Sequence, residues 1–193
     1  MRLFIVNQAA IGNYETIVDI GAGKAPYKKI FKYKKYIICD VENKYNFEDI
    51  VIIKPNDILP LKDDYADLAL STEVLEHVKD IDLFLSEIYR IMKSGGKLIM
   101  TTPFLWPVHE APNDYRRFTN FGIKHLLTKK GFKNIKIIRS NGFLFTLCQL
   151  IVMNLKARIF VPIVIVFNLI GRIIYKIEKN KNLYLINFIT ATK

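Results

Sequence analysis

Along the chain, 17-IVDIGAGKAPY-27 runs from an apolar segment through an acid into a Gly-Ala-Gly bend. Such a bend after an Ile/Val-rich run is where an α/β sheet leaves a strand for its connection. Glycine there lets backbone amides approach a ligand without Cβ interference. The dinucleotide pattern G-x-G-x-x-G requires a third glycine at position 26, where this chain has Pro26. A nicotinamide enzyme is therefore disfavoured, while Pro26 suits the first turn of a following helix.

Working outward, short apolar runs alternate with helical patterns. Thr16 to Ile20, Tyr36 to Asp40, Ile50 to Ile53, Ala66 to Leu70, Lys97 to Thr101, Asn134 to Arg139 and Leu183 to Thr190 read as strands. Their Ile/Val content fits the buried strands of a parallel sheet. A helix is predicted over about Ile81 to Met92, with Gly95-Gly96 as its stop, and a second over about Asn120 to Lys130, stopped by Gly131. Strands alternating with helices predict an α/β fold with a doubly wound open sheet and right-handed crossovers. No repeat or flexible linker divides the chain, so residues 1–193 read as one domain.

In such a sheet, ligands sit beyond the carboxyl ends of the strands. Asp19 ends the first strand and Asp40 the second, where a carboxylate can accept both hydroxyl protons of a ribose. Asp57 follows the third strand, placed to accept from an exocyclic amine while Ile58 packs on a purine face. Any one of these acids is unremarkable as a loop residue or helix cap. Three at successive strand ends form a pattern.

The series VDIGAG, CDV, NDILP, STEVLEHV and KSGGKLIMTTP resembles the class I S-adenosylmethionine-dependent methyltransferases of the small-molecule type, over Ile17 to about Arg139. The resemblance implies a seven-stranded Rossmann-like sheet whose last strand is antiparallel, with S-adenosyl-L-methionine as cofactor. It implies that Asp19, Gly21, Ala22 and Gly23 line the methionine end of the cofactor and that Asp40 holds the ribose. Val41 packs on the adenine, Asp57 and Ile58 bracket the base, and Thr72 and Glu73 close the pocket behind the sulfonium. Family members usually carry another glycine where Ala25 or Pro26 stands. They also have longer N-terminal helices than the roughly 15 residues before this first strand leave room for.

The segment 103-PFLWPVHEAPNDYRRFT-119 follows the fifth strand and gathers His, acids, Arg and aromatics into one proline-stiffened loop. His109 is the candidate general base, because imidazole titrates near neutrality. Arg116 can hold an anionic group of the acceptor, with Trp106 and Tyr115 as a wall and Glu110 and Asp114 beside them. The same residues can equally form an internal network that fixes the loop, with Arg116 paired to Glu110 or Asp114. His77 reads as a helix-start residue and His125 as a structural one. No histidine pair or Cys/His cluster has ligand spacing, so no metal site is expected. The fourth strand is followed by STEV rather than an Asn/Asp-Pro-Pro-aromatic turn, which disfavours methylation of an exocyclic base amine.

The formal net charge of +11 is uneven. Up to Asp114 there are 14 basic and 17 acidic residues; from Tyr115 onward there are 15 basic residues against Glu178 alone. A basic C-terminal part points to an anionic partner: a membrane surface, a phosphorylated substrate or nucleic acid. Residues 143–182 add an apolar insertion before the last strand, read as a helical hairpin with arms of about Phe143 to Leu155 and Ile159 to Ile177. The first arm is short of the ~20 residues a membrane crossing needs, so the hairpin is expected to lie in the interface, facing anionic headgroups. A dimer interface and a lid over the acceptor are the alternatives.

Cys39 and Cys148 lie in apolar runs without metal spacing and read as buried thiols of a reducing compartment. The start, MRLFIVNQAA, is too short in apolar residues for a signal peptide. The expectation is a cytoplasmic methyltransferase, peripheral on the inner face of the membrane, O-methylating a lipid-linked, isoprenoid or sugar-containing small molecule. An RNA methyltransferase and a non-catalytic cofactor-binding module are the rival readings.

Overall fold

The computed structural model describes residues 1–10, 12–140, 142–154, 162, 165–166, 169 and 182–193. Its seven strands are β1 (Asn13–Ile20), β2 (Lys32–Asp40), β3 (Ile50–Ile52), β4 (Ala66–Thr72), β5 (Met92–Pro103), β6 (Lys133–Arg139) and β7 (Ile186–Thr192). They form one sheet in the order β3-β2-β1-β4-β5-β7-β6. β7 runs antiparallel to both β5 and β6, and the other pairs are parallel. Each expected strand is present, with ends moved by up to five residues.

The helices are α1 (Arg2–Ala9), α2 (Ile81–Ile91), α3 (Asn120–Lys129) and α4 (Phe143–Asn154). On one face of the sheet, Leu85, Ile88 and Ile91 of α2 and Ile123 and Leu127 of α3 pack with Val18, Ala69, Leu98 and Met100. Spacings of three and four residues put these apolar side chains on one side of each helix. Asp80 caps α2 by accepting from the Leu83 amide at 2.9 Å, and Thr119 caps α3 by accepting from the Gly122 amide at 3.0 Å. Sequence alone extends α2 toward Gly95-Gly96, but Met92 already pairs with Ala66. The two glycines instead lie in an irregular stretch of β5, because a sheet partner captures the chain as soon as the helix ends.

The other face differs more from expectation. The segment after Gly21 is a chain of turns and not a helix: the Ala25 amide bonds the Ala22 carbonyl, Lys28 bonds Ala25, and Ile30 bonds Tyr27. Pro26 therefore starts no helix. Ala25 adopts φ 47°, a left-handed conformation that breaks helical propagation. Beside these turns lies α1, which sequence reading did not anticipate. Ile5 and Ala9 are buried against the same cluster as Ala22, Ala25, Tyr27 and Phe31, and Phe4 stacks on Phe188 at 4.9 Å. The short N-terminal segment is thus a cover for this face.

Of the apolar insertion, α4 matches the first predicted arm; most of the second arm lies outside the described residues. Among the described residues, no helix is long and apolar enough to cross a membrane.

Candidate active site

The carboxyl ends of β1 and β2 lie side by side, with Asp19 paired to Ile38 and Ile20 to Cys39. The Gly21 and Ala22 amides both donate to the Cys39 carbonyl, at 2.9 and 3.2 Å, which folds the glycine bend over the end of β2. From there the Gly23 amide reaches an Asp40 carboxylate oxygen at 2.8 Å, and the Val41 amide takes the other at 2.7 Å. Gly21 sits at φ 68°, and a Cβ added to it would lie 2.5 Å from a Val74 methyl. Only glycine fits there, on both counts. At Gly23, also in the left-handed region, an added Cβ meets nothing within 4 Å, so the bend opens on free space.

Asp19 is 1 % exposed and accepts from the Tyr36 hydroxyl at 2.6 Å. Burial pushes its carboxyl up to about 7, against the stabilising Tyr36 hydrogen bond and with help from the nearby Asp40 charge. Asp57 lies five residues beyond β3 on an exposed turn, its carboxylate accepting from the Ile58 amide at 2.8 Å. Val41, next to Asp40, and Ile58, next to Asp57, are 49 % and 66 % exposed.

Beyond β4 the character changes. Thr72 ends the strand and Glu73 takes φ 54°, its amide held by the backbone carbonyl and hydroxyl of Thr101. Burial raises the Glu73 carboxyl above its usual range, and one of its oxygens has no hydrogen-bond partner. A short 3-10 turn, Leu75–His77, follows. Glu76 within it is 0 % exposed, neither carboxylate oxygen has a partner, and burial pushes its pKa up to about 8.

The loop after β5 is laced onto this turn. The Tyr115 amide donates to the Glu76 carbonyl at 2.9 Å, and the Asn113 carbonyl lies 2.6 Å from His77 Nδ1. Arg116 donates to the carbonyls of Val78 and Lys79, so its guanidinium holds main chain and not Glu110 or Asp114. It is Arg117 that grips Asp114, through two bonds of 2.5 and 2.7 Å, and this holds the Asp114 carboxyl far below the usual range. The base of the loop is fixed by Asn187, whose amide donates to the Phe118 carbonyl at 2.8 Å and to Thr102, and by the ring of Tyr184 stacked on Phe104.

His109 is positioned by this scaffold. Its amide donates to Asp114, its Nδ1 lies 3.2 Å from the Pro107 carbonyl, and its Nε2 lies 3.9 Å from Glu76. His77 Nε2 lies 3.8 Å from the same Glu76 oxygen and 3.9 Å from exposed Glu110. The two imidazoles meet edge to face at 4.8 Å. Trp106 is half-buried, with its carbonyl accepting from Arg117 at 3.1 Å, and Tyr115 donates its hydroxyl to Asn113. His125 is exposed on α3, away from this group. Glu76 and the part played by His77 escaped sequence reading. The available signal was an acid between Leu75 and His77, shortly after a buried strand.

Comparisons with known proteins bear on the fold that carries these residues. The family described as "Methyltransferase domain" matches residues 18–100, from β1 into β5. The matched stretch is similar to the class I S-adenosylmethionine-dependent methyltransferases. An uncharacterized protein of Methanocaldococcus jannaschii is 29 % identical over 135 residues, covering 62 % of this chain and 65 % of that protein. A methyltransferase of Aspergillus aculeatus is 34 % identical over 110 residues, covering 49 % of this chain and 34 % of that protein. The chain thus matches between about a third and two thirds of the length of these relatives. Among solved structures, phosphoethanolamine N-methyltransferase 2 of Haemonchus contortus, in complex with S-adenosyl-L-methionine, aligns at a TM-score of 0.63 and 18 % identity. That alignment covers 100 % of this chain and 52 % of the nematode protein, and at this identity the likeness is one of fold.

The residues present fit S-adenosyl-L-methionine: the bend has room at Gly23, free lone pairs remain on the Asp40 carboxylate, and Val41 leaves an exposed apolar side chain next to it.

Proposed function

We propose that the protein transfers a methyl group from S-adenosyl-L-methionine to an oxygen of a small-molecule acceptor. The observation that carries this reading is the convergence of the Gly21–Gly23 bend and Asp40 on one rim, joined by the 2.8 Å bond from the Gly23 amide. Asp19, Gly21, Ala22 and Gly23 are assigned to the methionine end of the cofactor and Asp40 to its ribose. Val41 and Ile58 flank the adenine, Asp57 takes its amine, and Thr72 and Glu73 close the far side. When bound, the cofactor supplies a methyl carbon on a cationic sulfur, open to in-line displacement. The protein's main task is then to align the acceptor, an effect worth up to about 7–11 kcal/mol.

On the acceptor side, the Pro107 carbonyl can only accept, so it fixes the His109 proton on Nδ1 and leaves a lone pair on Nε2. That lone pair is positioned to take a hydroxyl proton. Trp106, Glu110 and Tyr115 are assigned to the pocket wall, while Asp114 and Arg116 act by holding the loop. Isothermal titration with S-adenosyl-L-methionine and with its demethylated product tests the assignment. Saturable heat that is weakened about tenfold or more in Asp40→Ala supports it, since hydrogen bonds to a charged group contribute about 1.5–3 kcal/mol. Absence of heat at millimolar ligand refutes it.

A second element concerns where the acceptor is met. Phe143, Leu144 and Leu147 of α4 are exposed, as are Ile165, Val166 and Leu169, and each trio is spaced to share one side of a helix. With the basic C-terminal part, this favours a peripheral position on an anionic membrane surface inside the cell and a lipid-linked acceptor. Flotation with anionic and with neutral liposomes reads this out, and Leu147→Glu combined with Val166→Glu should abolish it.

A further inference from the structure

Among the described residues, Glu76, His77 and His109 bring one carboxylate oxygen and two imidazole nitrogens within 4.8 Å of one another. The hydrogen bonds around them determine which atoms face inward. His77 Nδ1 lies 2.6 Å from the Asn113 carbonyl and His109 Nδ1 lies 3.2 Å from the Pro107 carbonyl. Carbonyl oxygens only accept, so both neutral rings carry their proton on Nδ1 and turn an Nε2 lone pair toward Glu76. Asp114, 3.4 Å from His109 Nδ1, adds a carboxylate behind that ring. Glu76 is fully buried and neither of its oxygens has a partner. When Glu76 is ionised, three acceptor atoms converge with no donor among them, and a cation is the group that satisfies all three.

We propose that Glu76, His77 and His109 bind a divalent transition-metal ion of the zinc class. Two imidazoles and one carboxylate suit zinc, whereas magnesium and calcium prefer an all-oxygen shell. Three protein ligands leave a position for water or an oxygen of the acceptor. The Nε2-to-oxygen separations of 3.8 and 3.9 Å exceed the ~3.3 Å expected across a tetrahedral centre with ligands about 2.1 Å away. Modest rotation of the two partly exposed rings closes that difference. The site does not depend on the methyl-transfer reading, but it changes what the His109 lone pair does: with metal bound, it is a ligand and not a base.

The experiment is equilibrium dialysis of the chelator-treated full chain against zinc chloride, repeated with cobalt(II) to read the ligand field spectroscopically. The expected result is one ion per chain, with affinity falling at least about tenfold in Glu76→Gln and His109→Ala and unchanged in His125→Ala. Circular dichroism of each variant verifies folding, and titration with S-adenosyl-L-methionine is run in parallel so that loss of metal is distinguished from failure of the cofactor assignment. The absence of saturable one-to-one binding overturns the proposal, as does binding that Glu76→Gln and His109→Ala leave intact.

Discussion

The two halves of the candidate site are built on opposite principles. At the ends of β1 and β2, every acid is already satisfied: Asp40 by the Gly23 and Val41 amides, Asp19 by the Tyr36 hydroxyl. At the ends of β4 and β5, Glu73 and Glu76 are buried with oxygens that bond nothing, while the surrounding loop is tied down tightly. A rim whose polar groups are satisfied before a ligand arrives holds its shape at little cost. A rim with unpartnered buried carboxylates is costly to maintain and fits a place where a charged or proton-donating group arrives later. On the proposed assignment, the unpartnered carboxylates lie on the acceptor side and the satisfied ones on the cofactor side.

The contrast can be broken most sharply at the arginines. Arg117→Leu removes both bonds to Asp114 and leaves its carboxylate without a cationic partner, held by the His109 amide, which should cost about 3–5 kcal/mol and loosen the His109 loop. Arg116→Ala loses only two carbonyl bonds on an exposed side chain and should cost about 1–2 kcal/mol. Urea unfolding of the two variants measures the difference; equal losses would show that the acceptor loop does not depend on the Asp114 clamp.

On the binding side the glycines give the parallel test. Gly21→Ala combines left-handed strain with a 2.5 Å approach to Val74, so a loss of about 2–5 kcal/mol is expected, together with cofactor affinity. Gly23→Ala bears only the backbone strain, about 1–2 kcal/mol, because nothing stands near its added Cβ. Thermal unfolding and cofactor titration of both variants sharpen the picture, and a Gly23→Ala loss as large as that of Gly21→Ala would show the bend to be less open than its geometry indicates.

A separate effect concerns pH. The Asp19 carboxyl is raised in the folded chain from 3.8 to about 7, so the folded state binds this proton more tightly than the unfolded chain does. Stability from this group is therefore full below the unfolded value, declines as pH rises toward about 7, and is flat above it. Between pH 5 and pH 8 the wild-type chain should lose about 2–3 kcal/mol of this contribution. Asp19→Asn, which keeps an oxygen to accept from Tyr36, should gain stability relative to wild type at pH 8 by that amount compared with pH 5. A pH-independent difference between the two chains would contradict the assignment.

What was readable in advance divides along the same line. Asp19, the glycine bend and Asp40 lie at the ends of strands whose apolar runs are continuous in sequence, so local periodicity places them. The central strands β1, β2, β4 and β5 follow for the same reason, since burial on both faces of their carboxyl-terminal parts forces Ile/Val/Leu segments. Glycine's freedom at Gly21 is likewise a property of the residue itself. The partners of Arg116, the orphaned state of Glu76 and its meeting with His109 depend on two loops, more than 30 residues apart, crossing at one sheet edge. So does the cover provided by α1, whose eight residues form a helix against a face that only the assembled sheet creates. Strand identity is set by short-range hydrophobic pattern, which is written in order along the chain. Side-chain encounters across the sheet edge depend on strand order and loop path, and those are fixed only when the core packs.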